Sequence, residues 1–191
     1  KAVKLLGDYH KVQPLQPGMN RGEFRGKLLP TASPTAIDAL IDYYAQHRGL
    51  RIEGPTIALP DFQVVWNSFY TGLKDQILDL YGKAGLSPEN LDDVLASFGK
   101  KQEGARQVVT RLCYDGELVT LNAQLLLRRD FYDKALSALR DLFAQKPELL
   151  LAEFRDALGI SRKYALALLE YWDSEGLTKK TGDVRVAAKK F

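Results

Sequence analysis

Apolar positions recur with helical spacing in three stretches of the chain, roughly sixty residues apart, and predict three long amphipathic helices. These stretches are residues 34–47, 103–114 and 162–174. In the third stretch, four apolar side chains follow the i, i+3, i+4, i+7 spacing of one helix face, namely Ala165, Leu168, Leu169 and Trp172. Further helical patterns come earlier in the repeat, as in residues 73–82 and 131–145.

A short helical segment precedes each long helix, and part of its sequence is identical in the first and last repeats. The shared piece is Glu-Phe-Arg at residues 23–25 and again at residues 153–155, while residues 90–95 keep only the apolar positions. Alternating residues that turn back on themselves follow the long helices, as in residues 50–59 and 177–186. This alternation predicts a two-stranded hairpin after the helix.

The repeated order of helix, short helix, helix and two-stranded ribbon is that of the winged-helix form of the helix-turn-helix. The predicted fold class is therefore mainly α with small β-ribbons, built from tandem winged-helix modules. We place the modules at residues 1–68, 69–130 and 131–191 and expect the third to bind RNA. Because winged helices also join proteins to one another, the fold alone does not decide the partner.

The composition narrows the class of protein further. Hydrophobic residues make up 46% and charged residues 27% of the chain, and no apolar run approaches the ~20 residues of a membrane helix. The single cysteine, Cys113, excludes an internal disulfide and fits a cytoplasmic setting. The two histidines show no metal-ligand spacing with it. We expect a monomer without a catalytic site, metal, cofactor or membrane segment.

The net charge of +3 is small, and the positions of the basic residues are more informative than their number. The third long helix begins with Ser161, Arg162, Lys163 and Tyr164. In a helix-turn-helix protein the N-terminal residues of the second helix face the nucleic acid. Two cations at that end interact unfavourably with the helix dipole. A bound phosphate would form ion pairs with both cations and accept hydrogen bonds from the free amides of the first turn. We expect Ser161 to cap this helix through its hydroxyl and the first turn to bind phosphate.

The ribbon after this helix predicts the second half of a clamp around backbone phosphates. Its basic residues flank a turn at residues 181–183 or follow it: Lys179, Lys180, Arg185, Lys189 and Lys190. Tyr164 would either stack on an exposed base or pack at the helix edge. Asp183 would either cap the turn or accept a hydrogen bond from a base edge. A charged, solvated surface is the alternative to the clamp.

The corresponding positions of the other two units are less basic. No cation stands directly before the first long helix, at residues 31–35, and the middle ribbon, residues 117–127, is nearly uncharged. The middle unit does carry Lys100, Lys101 and Arg106 near its helix start. We expect the first two units to be spacers or protein-facing modules, with at most weak RNA contact in the middle one.

Two stretches of the last unit give a specific family resemblance. Residues 154–173, FRDALGISRKYALALLEYWD, and residues 176–185, GLTKKTGDVR, resemble the C-terminal end of SelB, the bacterial selenocysteine-specific elongation factor family. The last module of that family has a similar pattern of Ser or Thr, Arg-Lys-Tyr/Phe-Ala, Leu-Leu-Glu-Tyr and an Asp, followed by a basic wing with Gly-Asp. The repeated winged-helix layout extends the likeness over the whole chain.

The resemblance implies a function for the last unit. In SelB a GTPase part, which delivers selenocysteyl-tRNA to the ribosome, precedes four tandem winged helices, and the last of these binds the mRNA hairpin that recodes UGA. It implies RNA contacts at Arg162, Lys163, Tyr164, Lys179, Lys180, Gly182, Asp183, Val184 and Arg185, with a looped-out base between helix and wing. GTP would belong to the GTPase part, and this chain has no Gly-x-x-x-x-Gly-Lys motif. A DNA-binding regulator and a protein-interaction array remain alternatives.

Overall fold

The structure is a computed structural model that describes residues 1–47 and 49–188. The predicted basic residues Lys189 and Lys190 therefore lie outside the described part. The chain forms two compact units, Lys1–Thr71 and Gly72–Phe191. Within the described ranges, no helix is both long and apolar enough to cross a membrane.

The first unit is a single winged helix. Its helices and strands are α1 (Ala2–Val12), β1 (Met19–Asn20), α2 (Arg21–Leu28), α3 (Pro34–Gln46), β2 (Arg51–Glu53) and β3 (Thr56–Ala58). The strands form an antiparallel sheet in the order β1–β3–β2. Phe24, from the repeated Glu-Phe-Arg piece, is fully buried with Leu6, Ile41 and Ile57. The repeated aromatic residue is thus a core residue of its module.

The other two predicted modules lie in the second unit, apart from residues 68–71 at the start of the middle one. The middle one consists of α4 (Ser68–Ala84), α5 (Leu91–Ser97), a 3-10 turn (Gly99–Lys101), α6 (Gln102–Tyr114), β4 (Leu118–Thr120) and β5 (Leu126–Arg128). The last one consists of α7 (Arg129–Gln145), β6 (Glu148–Leu150), α8 (Leu151–Leu158), α9 (Arg162–Ser174), β7 (Thr178–Thr181) and β8 (Val184–Ala187). Its strands form an antiparallel sheet in the order β6–β8–β7.

The middle and last winged helices share one hydrophobic core and one continuous backbone joint. Leu121, Leu125 and Leu127 of the middle module pack in the same buried cluster as Leu139 and Trp172 of the last one. Strand β5 ends at Arg128 and α7 begins at the next residue, so no linker separates the two modules. The predicted boundary after residue 130 falls inside α7. The division into three modules stays a prediction, because the structure groups residues 72–191 as one unit.

The predicted mainly α fold with small β-ribbons is confirmed, with one addition. A strand precedes the short helix in the first and last modules, and it pairs with the second strand of the ribbon. In the last module Glu148, Leu149 and Leu150 pair with residues 184–186. This third strand leads directly into α8 and pairs with a strand of the wing. The pairing helps to fix the wing relative to the helices.

Candidate nucleic-acid interface

The turn between α8 and α9 sets the direction of the candidate RNA-binding helix. Gly159 ends α8 in the left-handed conformation, with φ 63° and ψ 30°, which glycine adopts at low cost. Ser161 then has extended backbone and precedes the first residue of α9, as predicted for a cap position. Its hydroxyl makes no capping hydrogen bond, however, so that part of the prediction is wrong. The amides of the first turn therefore lack a side-chain cap.

Three of the predicted clamp cations have free side chains. Arg162 at the start of α9 and Lys179 and Lys180 on β7 are exposed. In residues 1–47 and 49–188, none of these three side chains forms an ion pair or a hydrogen bond. They are therefore available to an anionic partner without the loss of an internal contact.

Lys163 and Tyr164 are engaged by the middle module instead. The Lys163 Nζ donates to Oδ1 of Asn90 at 2.9 Å, and the Tyr164 hydroxyl donates to the carbonyl of Pro88 at 2.9 Å. The ammonium of Lys163 also lies 5.4 Å from the centre of the Tyr164 ring, within the range of a cation–π contact. Of the two sequence interpretations of Tyr164, this half-buried position matches packing at the helix edge.

The wing ends in a tight turn of Gly182 and Asp183. The last residue of β7, Thr181, pairs directly with the first residue of β8, Val184, so only these two residues form the turn. Gly182 has φ 60°, and the primed turns that fit the twist of a hairpin need a positive φ at this position. Gly182 and Asp183 are exposed, and Val184 is half-buried. The tip is therefore a compact, accessible feature beside the two lysines.

Arg185 does not belong to the exposed clamp that the sequence predicts. It is 4% exposed, and its Nε donates to Oδ2 of Asp173 at 2.9 Å. The other oxygen of Asp173 accepts a hydrogen bond from the Thr178 hydroxyl at 2.6 Å. Asp173 lies in α9, while Thr178 and Arg185 lie in the two wing strands. The arginine therefore holds the wing against the helix from inside.

The equivalent helix of the first module is acidic. Asp38 and Asp42 on α3 accept hydrogen bonds from Arg21 at 2.9 Å each, and Asp38 also accepts one from Arg25 at 2.8 Å. Desolvation alone would raise the pKa of Asp38, but the hydrogen bonds from both arginines outweigh it and the pKa is lowered. These paired charges leave that helix without a basic face.

The middle module keeps its cations at the surface. Lys100, Lys101 and Arg106 are exposed at the start of α6, and none of their side chains is paired with another part of the described chain. They are one module away from the predicted clamp and provide a matched set of three cations for comparison with it.

The described residues offer no centre for metal or thiol chemistry. No group of three His, Cys, Asp or Glu side chains is placed to hold a metal ion in this part of the chain. Burial raises the pKa of the Cys113 thiol, against the smaller opposite effect of the Thr120 hydroxyl. A thiol with a raised pKa is a poor nucleophile, because the thiolate is the reactive form.

Comparison with known proteins identifies the family. Two family models, both described as elongation factor SelB, winged helix, match residues 3–59 and 141–187. The selenocysteine-specific elongation factors of Desulfomicrobium baculatum and Escherichia coli (strain K12) are 26% and 24% identical to this chain, over 98% and 96% of its length. The chain belongs to the SelB family. It spans 30% and 29% of the lengths of these two SelB relatives, and both matched models are non-catalytic winged helices.

Two solved structures share the fold. The mRNA-binding domain of elongation factor SelB from E. coli, in complex with SECIS RNA, aligns with a TM-score of 0.54 at 22% identity and covers 65% of this chain and 100% of that chain. The crystal structure of bacterial selenocysteine-specific elongation factor EF-Sec aligns with a TM-score of 0.54 at 16% identity over 98% of this chain and 29% of that chain.

Sequence reasoning missed the supporting residues of the site. Pro88 and Asn90 gave no signal, because they follow α4 in another module and meet α9 only in the folded chain. Asp173 is part of the family pattern, but the sequence does not show that it bonds Thr178 and Arg185, because these contacts form only in the folded module.

Proposed function

We propose that this chain binds a structured mRNA hairpin, the selenocysteine insertion element, through its last winged helix. It does so as part of a translation elongation factor that recodes UGA to selenocysteine. One observation carries the proposal: the start of α9 and strand β7 present unpaired cations in a module that a SelB winged-helix model matches. The related mRNA-binding domain from E. coli, solved with SECIS RNA, supports the same class of partner.

The chemistry of the surface favours phosphate and a loop base over a paired groove. The uncapped amides of α9 and the Arg162 guanidinium both favour a phosphate at the helix start. Lys179 and Lys180 lie on opposite faces of β7, because neighbouring side chains alternate in a strand. The wing therefore offers a cation to phosphates on either of its sides. Double-stranded RNA has a major groove too narrow for a helix, so a winged helix would grip backbone phosphates and unpaired bases.

We assign the RNA-contacting surface to the exposed residues of the predicted set other than Lys163, which is exposed but bonded to Asn90, and propose a looped-out base between helix and wing. They are Ser161, Arg162, Lys179, Lys180, Gly182 and Asp183. Val184 borders this surface, and Arg185 supports it from inside the module. In the whole protein, selenocysteyl-tRNA, the ribosome and GTP would be further partners, and we propose a monomer in the cytoplasm.

A salt-dependent titration of the 191-residue chain tests this function. The ligands are an RNA hairpin with a looped-out base, the same hairpin without that base, and a DNA duplex of equal length. A variant with Arg162, Lys179 and Lys180 all changed to Ala removes the clamp, and Lys100, Lys101 and Arg106 changed to Ala form the matched control. Point variants are preferable to deletion of the last module, because deletion would expose the shared core.

The proposal expects tight binding of the looped hairpin alone, lost in the clamp variant and retained in the control. Weak, steeply salt-dependent binding of all three ligands would indicate nonspecific electrostatics and overturn the proposal. Preference for the duplex would favour a DNA-binding regulator. An absence of binding to every ligand would favour a protein-interaction array.

A further inference from the structure

The two residues after Arg162 form a small contact network with the middle winged helix. Lys163 and Tyr164 donate hydrogen bonds to Asn90 and Pro88, each at 2.9 Å. The Lys163 ammonium also contacts the Tyr164 ring, so the three interactions involve one another. A polar side chain that is already paired loses that pairing if it turns towards another partner. The start of α9 is thus divided between Arg162, which is free, and two residues that face the middle module.

The middle module provides a fixed support for these contacts. Asn90 occupies the cap position of α5, but its side chain makes no capping bond and its Oδ1 is available to Lys163. The next amide, that of Leu91, donates to the carbonyl of Gln124 at 2.8 Å. The segment is thereby tied to the loop between β4 and β5, which contains the shared core residue Leu125. A side chain that rests on this segment rests on an ordered part of the unit.

We propose that Lys163 and Tyr164 are positioning residues, which brace the start of α9 on the middle winged helix and so present Arg162 to the hairpin. This inference rests on the proposed function and assigns the middle module a part in RNA binding. Holding the helix start in one arrangement lowers the ordering cost that binding would otherwise incur. The brace acts through the hydroxyl of Tyr164 and the ammonium of Lys163, not through stacking on a base.

Two substitutions each remove one hydrogen bond of the brace without removing any charge. Tyr164→Phe keeps the ring and deletes the hydroxyl, and Asn90→Ala deletes the acceptor of Lys163. Tyr171→Phe is the matched control, because Tyr171 is a half-buried tyrosine of the same helix whose hydroxyl makes no hydrogen bond within the described ranges. The full chain is titrated with the looped hairpin at several salt concentrations, at a temperature where every variant is folded.

The proposal expects Tyr164→Phe and Asn90→Ala each to weaken binding by about 3- to 10-fold, the equivalent of one net hydrogen bond. The slope of log K against log salt should stay unchanged, because no phosphate contact is lost. Tyr171→Phe should bind as the unchanged chain does. Unchanged or tighter binding by the two variants overturns the proposal. A loss in Tyr164→Ala but not in Tyr164→Phe would assign the ring to base stacking and also overturn it.

A second measurement without RNA separates this inference from the proposed function. Loss of the brace should speed hydrogen exchange of the Ala165 amide, whose bond to the Ser161 carbonyl closes the first turn of α9. We expect faster exchange in Tyr164→Phe and Asn90→Ala, and no change in Tyr171→Phe. Equal exchange in all variants overturns the brace even if the hairpin binds. Faster exchange without hairpin recognition would instead contradict the proposed function.

Discussion

Arg185 and Asp173 form an ion pair inside the last winged helix, with 2.9 Å between Nε and Oδ2 and only 4% of the arginine side chain exposed. The pair joins the second strand of the wing to the last turn of α9. Thr178, in the first strand, donates to the same carboxylate. One carboxylate therefore bonds both wing strands to the helix, in addition to the pairing of β6 with β8.

Removal of that carboxylate should destabilise the second unit strongly. We expect Asp173→Ala to lower the free energy of unfolding by about 3 kcal/mol, because it leaves the buried Arg185 charge without its partner. Urea unfolding of the full chain, followed by a probe in the second unit, measures the loss. Arg155→Ala is the control, since its pair with Asp156 is exposed and should contribute about 1 kcal/mol or less. Equal losses in the two variants would contradict the assigned role of Asp173.

The first residue of α9 should matter for RNA and not for folding. We expect Arg162→Ala to weaken hairpin binding by about 1–3 kcal/mol and to reduce the magnitude of the salt slope by about one phosphate contact. The melting temperature should not change, because the side chain has no partner in residues 1–47 and 49–188. Lys83→Ala, which removes an exposed lysine paired with Asp79, should leave binding unaltered. The same loss of affinity in both variants would argue against a localised site.

Gly18 should be essential for the sheet of the first unit. A Cβ at this position would lie 2.5 Å from the backbone oxygen of Ile57 and 2.8 Å from its carbonyl carbon. Backbone atoms of a paired strand cannot move aside cheaply, so we expect Gly18→Ala to cost about 1–3 kcal/mol of stability. Gly26→Ala in α2, where nothing lies within 4 Å, should instead stabilise by about 1 kcal/mol or less. Thermal unfolding of both variants distinguishes the two sites.

The first unit should lose stability in mild acid through His10. The imidazole is 7% exposed, stacks on Phe62, and its Nε2 accepts the Leu59 amide at 3.2 Å. Desolvation and then the charge of Arg51 lower the pKa of His10 below its ordinary value of 6.5. The folded state therefore favours the neutral ring. Its contribution to stability is complete above the ordinary pKa and is lost as the pH falls below that value and through the lowered pKa.

This pH dependence is tested with paired melting curves. The difference in melting temperature between about pH 7.5 and about pH 5 should be smaller in His10→Gln than in the unchanged chain. His47→Gln, at an exposed position on the same unit, should keep the full difference. An unaltered difference in His10→Gln would assign the acid sensitivity to other groups.

The sequence predicted the helices well because their signals are local. Helix α9 runs over Arg162–Ser174 as predicted, since apolar spacing, an extended residue before it and a glycine after it all lie within one stretch. Strand β6 (Glu148–Leu150) was missed. It has only three residues, and the strand that it pairs with, β8, comes more than thirty residues later. A strand of that length has no periodicity of its own.

The sequence predicts the candidate site as one exposed surface, and the structure leaves only some of its residues exposed and unpaired. The sequence predicts Arg185 as a cation of the clamp, on the surface of the wing where charged residues usually lie. The structure has the opposite arrangement, because Asp173 offers Arg185 an ionic partner inside the module. Similarly, the sequence could not reveal that Lys163 and Tyr164 meet residues of another module. Both differences depend on contacts between residues far apart in the chain.

The shared core of the second unit has a consequence for the way in which the chain is made. During synthesis the middle winged helix leaves the ribosome first, and its side chains Leu121, Leu125 and Leu127 then lack the partners that complete their buried cluster. These partners include Leu139 of α7 and Trp172 of α9, and α9 ends more than forty residues after Leu127. A nascent chain that stops in this interval carries an open apolar face, the kind of surface that chaperones bind. The last module thus completes the fold of its neighbour as it completes its own.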